Sequence, residues 1–331
     1  MQLTQKKSRR GDLLTAAAVA MLLAVMSVLL YTGSLTRQVT NMLIPTAVYI
    51  VMAVSLNLVV GLLGELSLGH AGFMSVGLFS GCLVAIALTN TALPLMVRLP
   101  VSMLAGGLTA AVFGLLVGLP TLRLRGDYLA IVTLACGEII KNIITNLRVT
   151  GGALGLNTSA IYAGAKELLP YGAALVLLTV AVMLNLKRSK YGRAIMAIRD
   201  NRIAAESVGL SVTRYKLAVF VIAAFFAGCA GVLYGHSLAN IKAAAFDYNM
   251  SIEILVIVVL GGMGSVPGSV VSAIVLTVLP EALREVADYR MLVYAVVLIL
   301  VMQATNNPAM KRFFGAACKS LTPKRKERAA L

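Results

Sequence analysis

Residues 187–216 read KRSKYGRAIMAIRDNRIAAESVGLSVTRYK and form the long polar segment of a chain that is otherwise almost wholly apolar. The segment holds eight lysines and arginines against two acids, Asp200 and Glu206. Uncharged apolar runs flank it on both sides, at 168–186 and 217–241. A basic loop between two hydrophobic spans is typical of a segment on the cytoplasmic side of a membrane.

This basic loop carries helical signals of its own. Four side chains recur at helical spacing along one face: Tyr191, Ala194, Ile195 and Ile198. Asp200 or Asn201 can cap a further short helix, and Gly209 can end it. A helix of about two turns is not stable alone in water, so it needs a partner. The residues alone leave a second interpretation open, in which anionic lipid holds an interfacial segment.

Composition decides the class of the protein. Of the 331 residues, 59% are hydrophobic and 13% are charged. A transmembrane helix needs about 20 mostly apolar residues. Eight uncharged runs reach about that length: 13–36, 38–64, 66–97, 99–122, 168–186, 217–241, 254–280 and 291–310. We therefore predict an all-α polytopic membrane protein with no sizeable soluble domain.

The formal net charge of +16 is spread over loops and tails, without interleaved aromatic residues. Membrane topology is a sufficient cause of that charge, so nucleic acid is not predicted as a partner. The four cysteines (Cys82, Cys136, Cys229 and Cys318) lack the spacing of a metal site. We expect a lipid-embedded chain without a catalytic site, a bound cofactor or a metal, and not an enzyme.

The distribution of positive charge predicts the topology. Residues 1–12 form a basic tail, 13–310 form the membrane domain with its loop 187–216, and 311–331 form a second basic tail. Both tails are predicted to be cytoplasmic, because most of the 29 lysines and arginines then lie on one side. The run 254–280 must then turn back at its glycines. The sequence therefore predicts about ten transmembrane or re-entrant helical segments.

Two glycine-rich stretches interrupt the apolar runs. The first reads GLLGELSLGHAGF at 61–73, and the second reads GGMGSVPG at 261–268. Irregular backbone at membrane depth requires surrounding protein or a water-filled cavity, so we predict pathway or gating elements here. The candidate residues are Ser67, Gly69, His70, Gly261, Gly262 and Gly264. A glycine-rich helix-packing face, and a simple interhelical hydrogen bond from His70, are the alternatives.

A few acids lie within or beside the spans. Glu138 and Lys141 share one face of a span at 128–147, which fits a neutralised ion pair or, less simply, a substrate contact. A self-contained secondary transporter is an alternative class of protein. It would require intramembrane acids along its path, and the chain offers Glu138, Glu65 and Glu253.

Several motifs, in one order, resemble branched-chain amino acid ABC transporter permeases of the LivM/LivH type. Residues 57–71, NLVVGLLGELSLGHA, are similar to that family's NLxxGxxGqxSxGHAxF signature. Residues 123–134, RLRGDYLAIVTL, resemble the pattern of its LivM branch. Residues 191–209 resemble its cytoplasmic loop, and LGGMGS at 260–265 resembles a late glycine motif. Glu65 departs from the usual Gln, and Ala153 from the usual Pro.

The resemblance implies a permease subunit of an ATP-driven importer in a bacterial inner membrane. Its partners would be a second, LivH-like permease subunit, two cytoplasmic ABC ATPase subunits and an external solute-binding protein. The short loop helix would be the coupling helix that contacts an ATPase, through Ala204, Ala205, Glu206 and Gly209. The implied solute is a branched-chain or related amino acid, with urea or a short amide as the alternative.

Overall fold

Helices make up nearly all the regular structure of the chain. The computed structural model describes residues 17–30, 32, 36–89, 94–124, 126–282, 296 and 299. The predicted tails 1–12 and 311–331 lie outside the described residues, as does the predicted span 291–310 except for residues 296 and 299. The chain divides into two compact units, Met1–Val278 and Leu279–Leu331, and nearly all described residues belong to the first.

Eleven helices follow one another in the described part of the chain. In order they are α1 (Ala17–Leu30), α2 (Arg37–Asn57), α3 (His70–Thr89), α4 (Leu95–Thr121), α5 (Asp127–Asn146), α6 (Ala165–Arg188), α7 (Lys190–Asp200), α8 (Arg202–Ser207), α9 (Val212–His236), α10 (Tyr248–Gly261) and α11 (Val266–Ala282). A π-helical turn, Leu58–Leu63, continues α2. Two short strands, β1 (Leu156–Asn157) and β2 (Asn240–Ile241), pair antiparallel.

Seven helices of the described residues are long and apolar enough to cross a membrane. They are α2 with its π-helical turn, α3, α4, α5, α6, α9, and α10 with the 3-10 turn before it. The shorter apolar helices α1 and α11 account for two more of the predicted segments. The prediction of an all-α polytopic membrane protein is confirmed.

Helices α3, α4 and α9 pack with almost no space between their backbones. A Cβ atom added to Gly228 of α9 would lie 2.7 Å from the carbonyl oxygen of Gly106 in α4 and would also meet Ala110. One added to Gly77 of α3 would clash with the backbone of Gly228. Small residues allow such close approach of helices in membranes. These three helices therefore form the tightest part of the bundle.

Different kinds of structural element form the two ends of the bundle. We call "the basic end" the one formed by residues 61–65, α7, α8 and the turn 262–265. We call "the strand end" the one formed by β1, β2 and the 3-10 turns between 148 and 161. Helix α9 runs from the first end, at Val212, to the second, at His236, over 25 residues.

Backbone hydrogen bonds close the strand end. Leu156 pairs with Ile241 across the two strands. The Thr158 N–H donates to the carbonyl of Ala239 at 3.0 Å, and the Thr158 hydroxyl donates to the carbonyl of Leu238 at 2.6 Å. Gly155 has φ +89°, and a Cβ there would lie 2.5 Å from the Ile241 carbonyl oxygen, so this turn requires glycine.

Candidate functional site

Helix α8 at the basic end is short, with defined ends. The Asn201 side-chain oxygen accepts a hydrogen bond from the Ala204 N–H at 3.1 Å, which caps the first turn. Gly209 follows the helix in the left-handed region, with φ +87°. Its N–H donates to the Glu206 carbonyl at 3.0 Å, and the Leu210 N–H donates to Ala205 at 3.1 Å. The predicted loop helix is confirmed, with Asn201 as its cap.

One face of α8 is anchored and the other is free. Ala205, 5% exposed, packs against Ile198 of α7 and Val212 of α9. Ala204, Glu206 and Gly209 are exposed. Three of the four predicted coupling residues therefore lie on the surface, whereas Ala205 lies inside the loop and fixes the helix to its neighbours.

Two exposed apolar side chains of this loop were missed by the sequence interpretation. Ile203 and Val208 are each 80% exposed. Single exposed apolar side chains are common on protein surfaces, and these two are notable because they lie together at the exposed face of one short helix. In the sequence, both are large apolar residues within an otherwise polar and small-residue stretch, 201–209.

The first glycine-rich stretch is a break between α2 and α3. The π-helical turn ends at Gly64, which has φ +78°, and no helix resumes before His70. The Leu68 N–H, inside the break, donates to the Thr133 hydroxyl of α5 at 3.0 Å. The Ala71 N–H, at the start of α3, donates to the Ser251 hydroxyl of α10 at 3.3 Å. Neighbouring helices therefore satisfy the irregular backbone, as membrane depth requires.

The predicted pathway residues of this break lie inside the subunit. His70 is 2% exposed, and its Nε2 atom lies 2.8 Å from the Ser55 hydroxyl. A Cβ on Gly69 would lie 2.6 Å from the Thr133 carbonyl oxygen, so glycine is needed for close packing. The hydroxyl of Ser67 is buried and has no hydrogen-bond partner among the described residues. For His70 the geometry is the interhelical hydrogen bond that the sequence left as an alternative.

The second glycine-rich stretch turns the chain between α10 and α11. Gly262 and Gly264 have φ +88° and +80°, which favours glycine at both positions. Gly261 ends α10. The chain therefore does turn back at these glycines, as the charge distribution predicts.

The side chain of Asn57 joins the two breaks. It is fully buried at the end of α2. Its Oδ1 accepts from the Gly264 N–H at 2.8 Å, and its Nδ2 donates to the Ser265 carbonyl at 3.2 Å and the Ser269 hydroxyl at 2.8 Å. A Cβ on Gly61 would lie 2.7 Å from the Gly264 Cα. Two stretches about 200 residues apart in sequence thus meet at one point.

Cations from the basic loop bind the backbone of both breaks. Lys187, at the end of α6, donates to the Gly264 carbonyl at 2.9 Å. Arg199 of α7 donates through Nη1 to the Gly61 carbonyl at 3.0 Å. Helix ends leave carbonyl groups without intrahelical partners, and positive charge there is stabilising. The loop is therefore attached directly to the two points where the membrane helices are interrupted.

A third attachment is an ion pair. Lys216, in the first turns of α9, pairs with Glu65 in the first break, and their side chains are 7% and 15% exposed. A buried pair costs desolvation, so its loss from one side leaves an uncompensated charge. This pair holds the extended part of the first break against the helix that follows the loop.

A cavity of about 440 Å³ remains between α8 and the first break. Its lining carries both signs of charge and comprises Leu63, Gly64, Glu65, Gly126, Ile198, Arg199, Asp200, Asn201, Arg202, Ile203, Glu206 and Lys216. Across the described ranges, no group of three or more His, Cys, Asp or Glu could hold a metal ion. The cavity separates α8 from the first break, and the loop reaches the break through Arg199 and Lys216 instead.

The family described as "Branched-chain amino acid transport system / permease component" matches residues 38–302, a range that contains both breaks and the whole basic loop. The chain belongs to this permease family. With seven candidate spans in its described part, this permease is a multi-pass membrane protein.

Curated relatives agree with this assignment. The permease is 36% identical over 296 residues to the high-affinity branched-chain amino acid transport system permease protein LivM of Salmonella typhimurium, covering 78% of this chain and 66% of the relative. It is 31% identical over 126 residues to LivH of the same organism, covering 37% and 40%. It is 29% identical over 196 residues to the autoinducer 2 import system permease protein LsrC of an Enterobacter species, covering 54% of each.

The match spans 66% of the length of the LivM relative. No solved structure matches the permease.

Proposed function

We propose that this chain is the transmembrane permease subunit of an ATP-driven ABC importer for branched-chain or related amino acids. It forms the translocation pathway together with a second permease subunit. Two cytoplasmic ABC ATPase subunits supply the hydrolysis, and an external binding protein delivers the solute. The chain lies in a bacterial inner membrane with both termini in the cytoplasm. The family description and the names of the LivM and LivH relatives support branched-chain amino acids as the solute class.

The attachment of the basic loop to both helix breaks is the observation that carries this proposal. Arg199 holds Gly61, Lys187 holds Gly264, and Asn57 joins the two breaks. A force applied to α7 and α8 therefore reaches α2, α3, α10 and α11 through a few direct hydrogen bonds. Small shifts at such a site are passed on because packed helices move as bodies rather than deform.

The exposed face of α8 is the proposed seat of the ATPase. It presents Ile203 and Val208 beside the small residue Ala204, while Ala205 anchors the opposite face. The Glu206 carboxylate pairs with the Arg202 Nε atom one turn earlier on α8, at 2.8 Å. An apolar centre with charged edges fits a groove in a protein better than the headgroups of anionic lipid, which require a basic face.

Two of the three acids considered for a secondary transporter pair with lysines, and the third, Glu253, accepts from the Tyr49 hydroxyl at 3.2 Å, which disfavours that class. Glu138 pairs with Lys141 and accepts from the Tyr248 N–H at 2.8 Å. Glu65 pairs with Lys216. A coupling acid must take up and release an ion or proton during transport, whereas Glu138 and Glu65 each already share their charge with a neighbouring lysine.

The test is reconstitution of the two permease subunits with and without the ATPases and the binding protein. We expect concentrative uptake of L-leucine only with ATP and the ATPases. Glu206→Arg places two arginines one turn apart on α8, and it should abolish uptake while membrane insertion is retained. Concentrative uptake by the permease pair alone would overturn the proposal.

Ile203→Asp tests more directly whether the exposed face of α8 binds the ATPase subunits. Leu154 at the strand end, 82% exposed, provides the matched control Leu154→Asp. We expect Ile203→Asp to lower co-purification of the ATPase subunits at least about tenfold, which is ~1.4 kcal/mol of binding. Leu154→Asp should leave co-purification unchanged. Equal yields for the two variants would show that α8 is not the seat.

A further inference from the structure

Helices α4 and α5 are neighbours whose exposed faces differ in kind. Each has only a third of its most apolar stretch buried inside the structure. The exposed large side chains of α4 are apolar throughout, including Leu104, Leu108, Val112 and Leu116. Such a face matches lipid, since lipid tails are as apolar as leucine.

The exposed face of α5 carries a polar stripe. Tyr128, Ile131, Ala135, Glu138, Asn142 and Asn146 follow one another at helical spacing along it. Tyr128 is 73% exposed, and Ala135, Asn142 and Asn146 are exposed as well. The same face carries Ile131, Ile139 and Ile143, each more than half exposed, but carboxylates and amides such as those of Glu138, Asn142 and Asn146 are rare on lipid-facing helix surfaces.

The charges of the stripe lie deep. Glu138 is near the middle of the 20-residue helix α5, whose length of about 30 Å matches the hydrocarbon thickness of a bilayer. Glu138 and Lys141 keep 27% and 19% of their side chains exposed despite their ion pair. A partly exposed ion pair at mid-depth is costly against lipid, so it indicates a face turned toward water or a polar cavity.

The first turn of α10 extends the polar surface beside the stripe. Glu138 accepts from the Tyr248 N–H at 2.8 Å. Asn249 is exposed next to Tyr248, and its amide donates to Asp247 at 2.7 Å. Two elements from distant parts of the chain therefore build one continuous polar surface that the described part of the chain leaves uncovered.

We infer that this α5 stripe, with the start of α10, lines the aqueous path of the solute, and that Glu138 and Lys141 offer opposite charges to a zwitterionic amino acid. The inference rests on the proposed importer function and deepens it by naming the lining. A zwitterion carries an ammonium and a carboxylate at fixed separation. In the partly exposed pair, Glu138 can bind the ammonium and Lys141 can bind the carboxylate.

Cysteine accessibility in the assembled complex tests the inference. The background carries Cys82→Ala, Cys136→Ala, Cys229→Ala and Cys318→Ala. Ala135→Cys and Asn142→Cys then place a thiol on the α5 stripe, and Leu108→Cys places one on the apolar face of α4. The probe is trimethylammonioethyl methanethiosulfonate, a charged reagent that reacts in water. Its rate is measured in proteoliposomes without nucleotide and after trapping with ATP and vanadate.

We expect both stripe thiols to react at least tenfold faster than the Leu108→Cys thiol, with a change of at least threefold between the two nucleotide states. Uptake of L-leucine should fall when the stripe thiols are modified. Stripe thiols as slow as the Leu108→Cys thiol in both states would overturn the inference, because the stripe would then be covered by lipid or by the second subunit. Wild-type complexes that never transport L-leucine would instead overturn the proposed function.

Glu138→Gln tests the charge separately. The glutamine oxygen can still accept from the Tyr248 N–H, so the link between α5 and α10 is kept while the carboxylate is removed. We expect uptake of L-leucine to fall at least tenfold, with ATPase co-purification at the wild-type yield. Unchanged uptake would show that the carboxylate only holds α10 in place.

Discussion

The basic end and the strand end hold the same helices by different means. At the strand end, backbone hydrogen bonds join Leu156 to Ile241 and Thr158 to Ala239. At the basic end, long side chains such as Lys187 and Arg199 reach across to backbone carbonyls. A side chain with several rotatable bonds can follow a moving partner or change it, whereas a strand pair cannot shift without breaking. We infer from this difference that the helices move relative to one another at the basic end and stay fixed at the strand end.

The largest effect is expected from Gly209→Pro at the basic end. Proline cannot adopt φ +87° and removes the N–H that donates to Glu206, so the ordered end of α8 is lost. We expect ATP-driven uptake to be abolished while membrane insertion is kept. Gly209→Asn is the control, since asparagine tolerates the left-handed region. Co-purification of the ATPase with Gly209→Pro at the wild-type yield would contradict this assignment.

Asn57→Ala should have the second-largest effect on uptake, because it removes the hydrogen bonds that join the two breaks. It leaves the buried Gly264 N–H without its acceptor, whereas the Ser269 hydroxyl still donates to the Ser265 carbonyl at 3.1 Å. An orphaned buried group costs about 1–3 kcal/mol. We expect a lower melting temperature of the purified permease and about a tenfold loss of uptake.

Asn57→Asp tests the donor of that side chain. The aspartate keeps an acceptor for Gly264 but sets a carboxylate oxygen against the Ser265 carbonyl in a fully buried site, so its loss of stability should be larger than that of Asn57→Ala. Equal melting temperatures for Asn57→Ala and the wild type would show that the breaks are held by other contacts.

Arg199→Met isolates one tether and should have a smaller effect. The methionine stem still covers Gly64, but the hydrogen bond to the Gly61 carbonyl is lost. Such a charge-assisted bond contributes about 1.5–3 kcal/mol when buried, and less here because the Arg199 side chain is 40% exposed. We expect coupled uptake to fall several-fold while uncoupled ATP hydrolysis continues, measured on the same proteoliposomes. Uptake and hydrolysis falling in parallel would indicate a general loss of folding instead.

Thr158→Val probes the strand end and should have the smallest effect on uptake. It removes only the hydroxyl bond to Leu238 and keeps the backbone bond to Ala239. We expect a stability loss of about 1 kcal/mol, seen as a lower melting temperature, with uptake unchanged. If Thr158→Val impaired uptake more than Arg199→Met, the assignment of fixed and moving ends would be reversed.

The helices were predictable because uncharged runs, caps and glycines act locally. The loop helix is an example, since Asn201 and Gly209 sit where a cap and a stop are needed. The meeting of the two breaks was not predictable, because it depends on which distant helices pack together. Asn57 gave a partial signal as an amide in an apolar run, and nothing local indicated that it binds Gly264. The pathway role of Ser67, Gly69 and His70 remains a prediction.

The near-contact of Gly77, Gly106 and Gly228 among α3, α4 and α9 has a consequence for how the protein comes apart. Backbones this close exclude solvent and leave no gap into which a side chain could swing. In hydrogen exchange, the amides of these three helices should be the last to acquire deuterium. On heating, these amides should stay protected longer than those of the loops at either end of the bundle.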